Sequence, residues 1–403
     1  MTHYHTAIEV INTLKQAGFI AYIAGGWVRD FLMSHPSDDI DIATNASVAE
    51  IVTLFPKTIP VGIHFGIVIV VHKEHHFEVA TFRREEGYKD GRRPTLVHPA
   101  SPEVDAMRRD FTINGMFFDP IQERLYDFVG GRKDLSQKII RSIGKAEERF
   151  DEDRLRMVRA VRYASRFNFQ IEEKTKDAIL NHAHTLLPAV AIERIWNELE
   201  KMALFSSFGK ALVTLQELKL LPVIFPTLQA LSPEIIEKRV SLLSSFPKEA
   251  PLISQILELF PHATLKEKQE LCIYLKLSKK DLHYVQFYER AKELLIHPSK
   301  VRPSEWAHFY AHPLSSLTLE IFALHLPSDR KESFLKEQQK RKRELHLPIE
   351  KIQKGIPFLT SEDLRQKGVP NGPEMGRLLK EGEEIAINQG LDSPSEILKQ
   401  LRL

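Results

Sequence analysis

The spacing of apolar and polar residues changes about a third of the way along the chain. Up to about residue 140, short apolar runs alternate with stretches of helical spacing, which predicts a mixture of strands and helices. The predicted strands are Ile20–Ala24, Ile40–Ala43, Phe65–His72, Phe77–Phe82 and Phe111–Phe118, and the predicted helices include Tyr4–Gln16 and Val48–Leu54. From about Lys145 onward, prolines break a series of helical stretches. The pattern predicts an α/β head followed by an elongated, all-helical remainder.

Composition narrows the class of protein. The chain has 403 residues, 43% of them hydrophobic and 27% charged, and this length predicts about two to four domains. No apolar run is long enough to span a bilayer, so we expect no membrane segment. The single cysteine, Cys272, excludes an internal disulfide, and we therefore expect a cytoplasmic location. The formal net charge is only +2, so any RNA-binding surface must be local.

The most informative stretch joins two glycines to two aspartates. Gly25 and Gly26 end a predicted strand, and Trp27–Met33 is predicted to be a short helix. Such a turn lets the backbone approach a phosphate chain at a helix N-terminus. Asp39 and Asp41 alternate with isoleucines, which places both carboxylates on one face of a strand and suits Mg²⁺. A Gly-Gly pair alone is usually a turn and Asp-x-Asp alone a solvated edge, but their combination indicates phosphoryl or nucleotidyl transfer.

Three further runs are polar and open to two interpretations. Arg108 and Arg109 precede a predicted strand, where they either reach triphosphate oxygens or form a salt bridge with Asp110. The run 152–162 is predicted to be a single helix with an apolar side, and by itself it is also typical of a charged solvent face. The run 83–94 is punctuated by glycine and has no periodicity, so composition favours a solvated, mobile loop.

Taken in order, these motifs resemble the signature of the DNA polymerase β-like nucleotidyltransferases. Arg-Arg-Asp-Phe-Thr-x-Asn at 108–114 and Glu-Asp-x-x-Arg at 152–156 are similar to motifs of the class II branch, the tRNA CCA-adding enzymes and bacterial poly(A) polymerases. The resemblance is dense over about residues 20–165. It implies an α/β head domain of the DNA polymerase β-like nucleotidyltransferase type, followed by an elongated all-α neck, body and tail. The implied bounds are 1–140 for the catalytic head, 141–205 for the base-recognising neck, 206–300 for the body and 301–403 for the tail.

The resemblance also implies roles for particular residues. Asp39 and Asp41 would bind Mg²⁺ and serve catalysis together with Arg109, and Glu78 is either a third carboxylate or a surface residue. The implied nucleotide-binding residues are Gly26, Arg29, Arg109, Asp153, Arg156, Arg159 and Arg162. Of these, Gly26, Arg29 and Arg109 would hold the triphosphate.

The implied base-reading pair has a physical basis. Cytosine N4 and adenine N6 are amino donors, whereas uracil and guanine carry a carbonyl acceptor at the equivalent position. Asp153 can therefore accept from the amino group, and Arg156 can donate to the neighbouring ring nitrogen. On one continuous helix, Arg162 would point nearly opposite Asp153. That geometry leaves open whether Arg162 contacts the nucleotide or supports the fold.

We expect a nucleotidyltransferase that builds the 3′-terminal CCA of tRNA from CTP and ATP, releases pyrophosphate and uses no nucleic-acid template. The expected partners are the acceptor arm and 3′ end of tRNA, together with CTP and ATP. The resemblance implies that the loop at 83–94 serves addition of the terminal A. The basic run Lys340–Arg343 is by its charge either an RNA contact or a solvated face. The alternatives are a poly(A) polymerase, an enzyme that adds only A, and an inactive RNA-binding protein on the same scaffold.

Overall fold

The computed structural model describes residues 2–35, 37–88 and 94–402. The chain divides into two compact units, Met1–Lys238 and Arg239–Leu403. The first unit contains an α/β head followed by helices, and the second unit is helical among the residues described. The predicted fold class, an α/β head followed by a helical remainder, is confirmed. The finer bounds near 140, 205 and 300 stay predictions.

The described strands all belong to the first unit. They are β1 (Ala21–Ala24), β2 (Asp41–Thr44), β3 (Thr58–Gly62), β4 (Ile67–His72), β5 (His75–Thr81), β6 (Arg83–Tyr88), β7 (Pro94–Pro99), β8 (Met116–Asp119), β9 (Arg124–Asp127), β10 (Ile139–Ile140) and β11 (Gln170–Ile171). Within the described ranges, seven strands form the central sheet in the order β3-β4-β5-β2-β1-β8-β9. The β2–β5 pairing is parallel and the other pairings in this sheet are antiparallel.

The helices of the first unit pack on the sheet and continue beyond it. They are α1 (His3–Gln16), α2 (Gly26–Leu32), α3 (Val48–Leu54), α4 (Pro102–Met107), α5 (Gly131–Gln137), α6 (Ala146–Glu152), α7 (Leu155–Phe167), α8 (Glu173–His182), α9 (Leu186–Ala189), α10 (Ile192–Ala203), α11 (Phe208–Glu217), α12 (Leu221–Ile224) and α13 (Pro233–Arg239), the last of which spans the division between the units. Ser47 caps α3 with a capping box. Alternate residues of β4 and β5, such as Val68 and Val79, are fully buried in the core beneath α1.

Two predicted elements of the α/β head differ from the structure. The predicted strand Phe111–Phe118 is interrupted by a 3₁₀ turn at Thr112–Asn114, and only β8 continues as a strand. The predicted loop at 83–94 is wrong over most of its length, because β6 and β7 pair as an antiparallel hairpin. Residues 89–93 of that loop lie outside the described residues.

The second unit consists of helices around its own core. They are α14 (Leu252–Ile256), α15 (Leu265–Tyr274), α16 (Lys279–Ile296), α17 (Pro303–Ala311), α18 (Ser315–Leu324), α19 (Ser328–Glu344), α20 (His346–Lys354), α21 (Ser361–Arg365), α22 (Pro373–Gln389) and α23 (Pro394–Gln400). Trp306 and Tyr310 of α17 are buried at the centre of this core. In the described part of the chain, no helix combines the length and the apolar character that crossing a membrane requires.

Candidate active site

A cavity of about 750 Å³ opens in the first unit between the sheet and the helices that follow it. All nine predicted site residues line it: Gly26, Arg29, Asp39, Asp41, Arg109, Asp153, Arg156, Arg159 and Arg162. They come from four separated stretches of the chain, which only the fold brings together. Whether each residue performs its predicted role stays a prediction.

The turn from β1 into α2 forms one wall of the cavity. Gly25 has a φ of +70°, a backbone conformation that side chains rarely adopt. A Cβ atom at this position would lie only 2.9 Å from Nη1 of Arg109. Gly25 therefore permits the close approach of the arginine, while Gly26 begins the helix whose N-terminus faces the cavity.

Asp39 and Asp41 lie side by side at the same wall. Strand β2 begins at Asp41, so Asp39 precedes the strand rather than sharing it, yet both side chains line the cavity. Asp41 is in register with Glu78 on β5. Desolvation of the carboxylate, together with the charges of Glu78 and Asp39, raises the pKa of Asp41 to about 7 against the opposing charge of Arg109.

This excess of negative charge fits a cation with oxygen ligands. Over residues 2–35, 37–88 and 94–402, no ion pair involves Asp39 or Asp41. The same part of the chain holds no group of three metal-ligating side chains close enough to bind an ion alone. Glu78 therefore adds charge without completing a ligand set. Two carboxylates that leave further positions to water and substrate phosphates match the way Mg²⁺ is bound at phosphoryl-transfer sites.

Arginine side chains line the rest of the cavity, and carboxylates of the protein neutralise their charge. Eight arginines line the cavity, and each forms an ion pair with a carboxylate: Arg29 and Arg166 with Asp30, Arg108 and Arg109 with Asp105, Arg156 with Glu152, Arg159 with Asp110, Arg162 with Glu198, and Arg194 with Asp153. The predicted alternative of a salt bridge from Arg108 or Arg109 to Asp110 is wrong, since both arginines bind Asp105 instead.

The two arginines predicted to hold a triphosphate are fixed in different ways. Arg29 is buried, donates from Nη1 to Oδ1 of Asn114 at 2.6 Å, and stacks on the ring of Phe167. Arg109 stacks on Phe117, and its Nη1 lies 3.5 Å from the carbonyl oxygen of Asn114. Both guanidinium groups are therefore positioned before any ligand binds.

Asp110 anchors Arg159 from the neighbouring turn. Its Oδ2 accepts from Nε of Arg159 at 2.9 Å and from Nη2 at 2.5 Å, while its Oδ1 accepts from the side chain of Asn114. Burial favours the neutral acid, but the charge of Arg159 and these hydrogen bonds outweigh it and hold the pKa of Asp110 at about 2. The turn at 110–114 is thus locked to α7.

The predicted single helix over 152–162 is wrong at Asp153. Helix α6 ends at Glu152, Asp153 has an extended backbone, and α7 begins at Leu155. The carboxylate of Asp153 accepts from the backbone N–H of Leu155 at 3.1 Å, which stabilises this break. Since Asp153 is not on α7, the expectation that Arg162 points nearly opposite Asp153 is also wrong, and both line the cavity.

Asp153 and Arg156 both have partners and spare hydrogen-bonding capacity. Nη2 of Arg194 donates to Oδ2 of Asp153 at 2.8 Å. Arg156 uses three of its N–H groups within the described structure, for Glu152, Arg149 and Arg108. A guanidinium has five N–H donors and a carboxylate oxygen accepts more than one, so both side chains can still contact a base.

Sequence reasoning missed several cavity residues. Arg194 and Lys201 lie on α10, and Tyr163 and Arg166 lie on α7. Arg166 follows Arg162 by one helical turn, a spacing that could have indicated it. Nothing in the sequence links Arg194 to Asp153, since the two are separated by 41 positions.

The fold and cavity define a polymerase-type nucleotide-binding head, and comparison with known proteins agrees. Residues 21–141 match the model of the poly A polymerase head domain. Residues 168–231 match the model described as a probable RNA and SrmB-binding site of polymerase A.

Curated relatives of this chain are named CCA-adding enzymes. The CCA-adding enzyme of Anoxybacillus flavithermus is 42% identical over 241 residues, which is 60% of this chain and 58% of the relative. The chain spans about half the length of the curated relatives it matches. The Bacillus stearothermophilus CCA-adding enzyme in complex with CTP superimposes with a TM-score of 0.80 at 28% identity, covering 99% of this chain and 98% of that one.

A more distant structure shows the same fold. The Thermotoga maritima CCA-adding enzyme complexed with tRNA has a TM-score of 0.67 at 22% identity and covers 98% of this chain and 93% of that one. The chain is therefore similar to poly A polymerases over its head and the following helical region, and its fold is similar to that of CCA-adding enzymes.

Proposed function

We propose that this protein is a nucleotidyltransferase that adds the 3′-terminal CCA to tRNA from CTP and ATP and releases pyrophosphate. The observation that carries the proposal is the convergence of all nine predicted residues on one cavity. The names of the relatives and the CTP complex of the solved relative support the choice of substrates. The match at 168–231 supports an RNA partner. We place the reaction in the cytoplasm, whose reducing conditions suit a chain with a single cysteine.

In this proposal the two walls of the cavity have separate tasks. Asp39 and Asp41 would hold Mg²⁺, which when bound would supply a positive charge that favours ionisation of the RNA 3′-hydroxyl and offsets the charge of the leaving pyrophosphate. Gly26, Arg29 and Arg109 orient the triphosphate, because donors at a helix N-terminus and arginine forks both match phosphate oxygens. The similarity to polymerase-type nucleotidyltransferases supports a divalent metal in general, and the choice of Mg²⁺ rests on the two-carboxylate donor set.

The other wall selects the base. Asp153 accepts from the amino group of cytosine or adenine, and Arg156 donates to the adjacent ring nitrogen. Uracil and guanine present a carbonyl where Asp153 requires a donor, so a buried acceptor would stay unpaired. Arg159 and Arg162 line the same wall and, in this proposal, contact the nucleotide while their carboxylate partners keep them in place.

One assay tests this proposal directly. Purified protein is incubated with tRNA lacking its 3′ CCA and with each nucleotide alone, then with CTP and ATP together, and the product ends are sequenced. We expect two C residues with CTP and a complete CCA end with both nucleotides. A run of A residues would indicate a poly(A) polymerase, a single A only on tRNA already ending in CC would indicate an A-adding enzyme, and no addition would indicate an RNA-binding protein.

Two variants locate the activity in the cavity. Asp41→Asn should abolish addition of both C and A, because one of the two metal-binding carboxylates is lost. Its unfolding temperature should be at least as high as that of the original protein, since the replaced carboxylate is repelled by its neighbours. Asp38→Asn removes an exposed carboxylate outside the cavity lining and should keep the activity. Equal activity of both variants would overturn the assignment of Asp41.

A further inference from the structure

One buried carboxylate beside the cavity has no role in the reaction as described so far. Asp105 lies on α4, and its side chain is only 1% exposed. Burying a carboxylate is costly unless charged donors surround it. Asp105 does not line the cavity itself, but two of its arginine partners do.

The two oxygens of Asp105 have different partners. Oδ1 accepts from the backbone N–H of Arg83 at 3.2 Å and from Nε of Arg108 at 2.8 Å. Oδ2 accepts from Nε of Arg109 at 3.2 Å and from Nη2 at 3.1 Å. One oxygen therefore fixes the carboxylate to the base of the β6–β7 hairpin, and the other holds one edge of the Arg109 guanidinium.

The remaining edge of Arg109 faces the candidate phosphate site. Its Nη1 approaches the glycine turn at Gly25 and the carbonyl oxygen of Asn114. The guanidinium plane also rests on Phe117, so stacking sets its tilt while Asp105 sets its rotation. A planar guanidinium held at one edge presents its other donors in a single direction.

The electrostatics agree with this geometry. Burial alone would favour the neutral acid, but the charges of Arg108 and Arg109 hold the pKa of Asp105 below its ordinary value. Asp105 is therefore ionised at neutral pH and gives Arg109 a permanent charged anchor.

We propose that Asp105 is a positioning residue that aims Arg109 at the triphosphate of every incoming nucleotide. The proposal rests on the proposed function and deepens it by separating triphosphate binding from base selection. Because the triphosphate is common to all nucleotides, loss of this anchor must affect them equally, whereas the base-reading pair distinguishes them.

The test uses Asp105→Asn, which keeps the size of the side chain but removes the charge and one acceptor. A hydrogen bond to a charged group contributes ~1.5–3 kcal/mol, which corresponds to a KM increase of roughly ten- to a hundredfold. We expect this increase for CTP and ATP by the same factor, with a smaller change in kcat and no change in the preference for CTP over UTP. Unequal factors for CTP and ATP, or altered base preference, would overturn the proposal.

A double-variant comparison separates positioning from general support of the fold. Arg109→Lys lacks the edge that Asp105 holds, so adding Asp105→Asn to it should raise KM no further. If the two substitutions instead multiply their effects on KM, Asp105 acts through a group other than Arg109. The matched control is Asp119→Asn, which removes an equally buried carboxylate paired with Lys15 and should leave KM unchanged. If Asp105→Asn does not fold, Asp105→Glu displaces the same carboxylate by one methylene and must raise both KM values equally.

Binding of inorganic pyrophosphate to the folded protein gives a readout that does not depend on turnover. Asp105→Asn should weaken this binding by the same factor as the KM for nucleotides, and unchanged pyrophosphate binding would overturn the proposal. If the unmodified protein adds no nucleotide to any tRNA, the proposed function fails while the pyrophosphate measurement still decides the role of Asp105.

Discussion

Asp153 divides its carboxylate between holding its own backbone and facing the cavity. Oδ1 accepts from Leu155 N–H, and Oδ2 is held by Arg194. A carboxylate fixed in this way cannot rotate away from the carbonyl oxygen of uracil or guanine. A carbonyl oxygen that is buried without a hydrogen-bond donor is disfavoured. We therefore predict that discrimination against UTP resides in this one side chain and in Arg194, which orients it.

Replacing Asp153 with alanine should narrow the preference for CTP over UTP at least about tenfold, because a paired base contact discriminates by ~1–3 kcal/mol. Arg156→Ala should instead weaken CTP and ATP together, since both offer the same unprotonated ring nitrogen. The measurement is kcat/KM for all four nucleotides on tRNA ending before, within and after CC.

The matched control for this prediction is Asp151→Ala, which removes a carboxylate two positions away whose side chain is 62% exposed and pairs with Arg154. It should keep both rate and selectivity. Loss of activity in Asp153→Ala with full CTP-over-UTP preference would mean that the base is read by other residues.

The Asp110–Arg159 pair makes a prediction about stability. The pKa of Asp110 is held at about 2 in the folded protein, below the ~3.9 of an unfolded aspartate. The ionised carboxylate therefore stabilises the fold above about pH 4, and this stabilisation is lost as the pH falls toward 2. Asp110→Asn should lower the free energy of unfolding by about 2–5 kcal/mol at pH 7, since it leaves Arg159 without its charged partner.

Chemical denaturation at several pH values measures this effect. The difference between Asp110→Asn and the original protein should shrink as the pH falls from about 4 to about 2. A difference that stays constant over that range would show that the loss comes from packing or from the hydrogen bond to Asn114, and not from the charge.

At the level of single residues, the sequence predicted which side chains line the cavity better than it predicted the partners that hold them. Asp41, Arg109 and Asp153 all line the cavity, because their motifs combine residue types that phosphate, metal and base chemistry require. Their supporting partners, such as Asp105 and Arg194, were not predicted. Asp105 precedes Arg109 by four positions, a spacing of one helical turn that could have indicated the pair. Arg194 lies 41 positions from Asp153, so its role as a partner depends on which chain segments the fold brings together.

Among the elements, the break between α6 and α7 shows where periodicity misleads. Charged residues spaced three or four apart around Asp153 favour a continuous helix by pattern alone. The side chain of Asp153 instead accepts from the backbone two residues on, a local bond that competes with the helix. By contrast, α1 and β4 were predicted to within two residues, because α1 has helical spacing and β4 is an unbroken run of β-branched residues.

The β6–β7 hairpin is the element that we expect to decide addition of the final A. Glu85 of β6 accepts from Nη1 of Arg108 at 3.0 Å, and Arg108 lines the cavity. Removing residues 87–95 keeps Arg83 and Glu85 and should leave CC addition largely intact while abolishing A addition. The reason is that a site that accepts a pyrimidine and then a purine must adjust, and the family resemblance assigns this adjustment to the segment.

This prediction is checked by sequencing product ends from tRNA lacking CCA and from tRNA ending in CC. Thermal unfolding of the shortened protein must match that of the original for the comparison to count. Equal loss of C and A addition in a folded protein would mean that the hairpin serves phosphate binding or general support.

The formal net charge of the whole chain is only +2, and the residues with predicted roles are unevenly distributed along it. The predicted catalytic residues all belong to the first unit, while the second unit carries the basic run Lys340–Arg343 at the end of α19. Within this run, Arg341 stacks on Trp306, whereas Lys342 and Arg343 line a groove of about 370 Å³ beside α20. A basic groove without a catalytic residue suits an RNA backbone.

Replacing Lys342 and Arg343 with alanine should raise the KM for tRNA and leave the KM for CTP and the base preference unchanged. Each phosphate contact that is lost should also reduce the slope of log affinity against log salt by about 0.7–0.9. The control is Lys336→Ala on the same helix, which pairs with Glu332 and is 72% exposed. An unchanged salt slope in the double variant would assign these side chains to a solvated face.

The pairing of every cavity arginine with a protein carboxylate also bears on how quickly the site can empty. The phosphates of an incoming nucleotide would share these arginines with carboxylates of the protein, so they would bind cations that already have a counter-ion. We therefore expect the cavity to bind phosphates less tightly than eight arginines without carboxylate partners would bind them. An RNA-extending enzyme must discard pyrophosphate after every step, and tight retention of that product would stall the next addition. Built-in counter-ions would thus favour repeated turnover over strong binding.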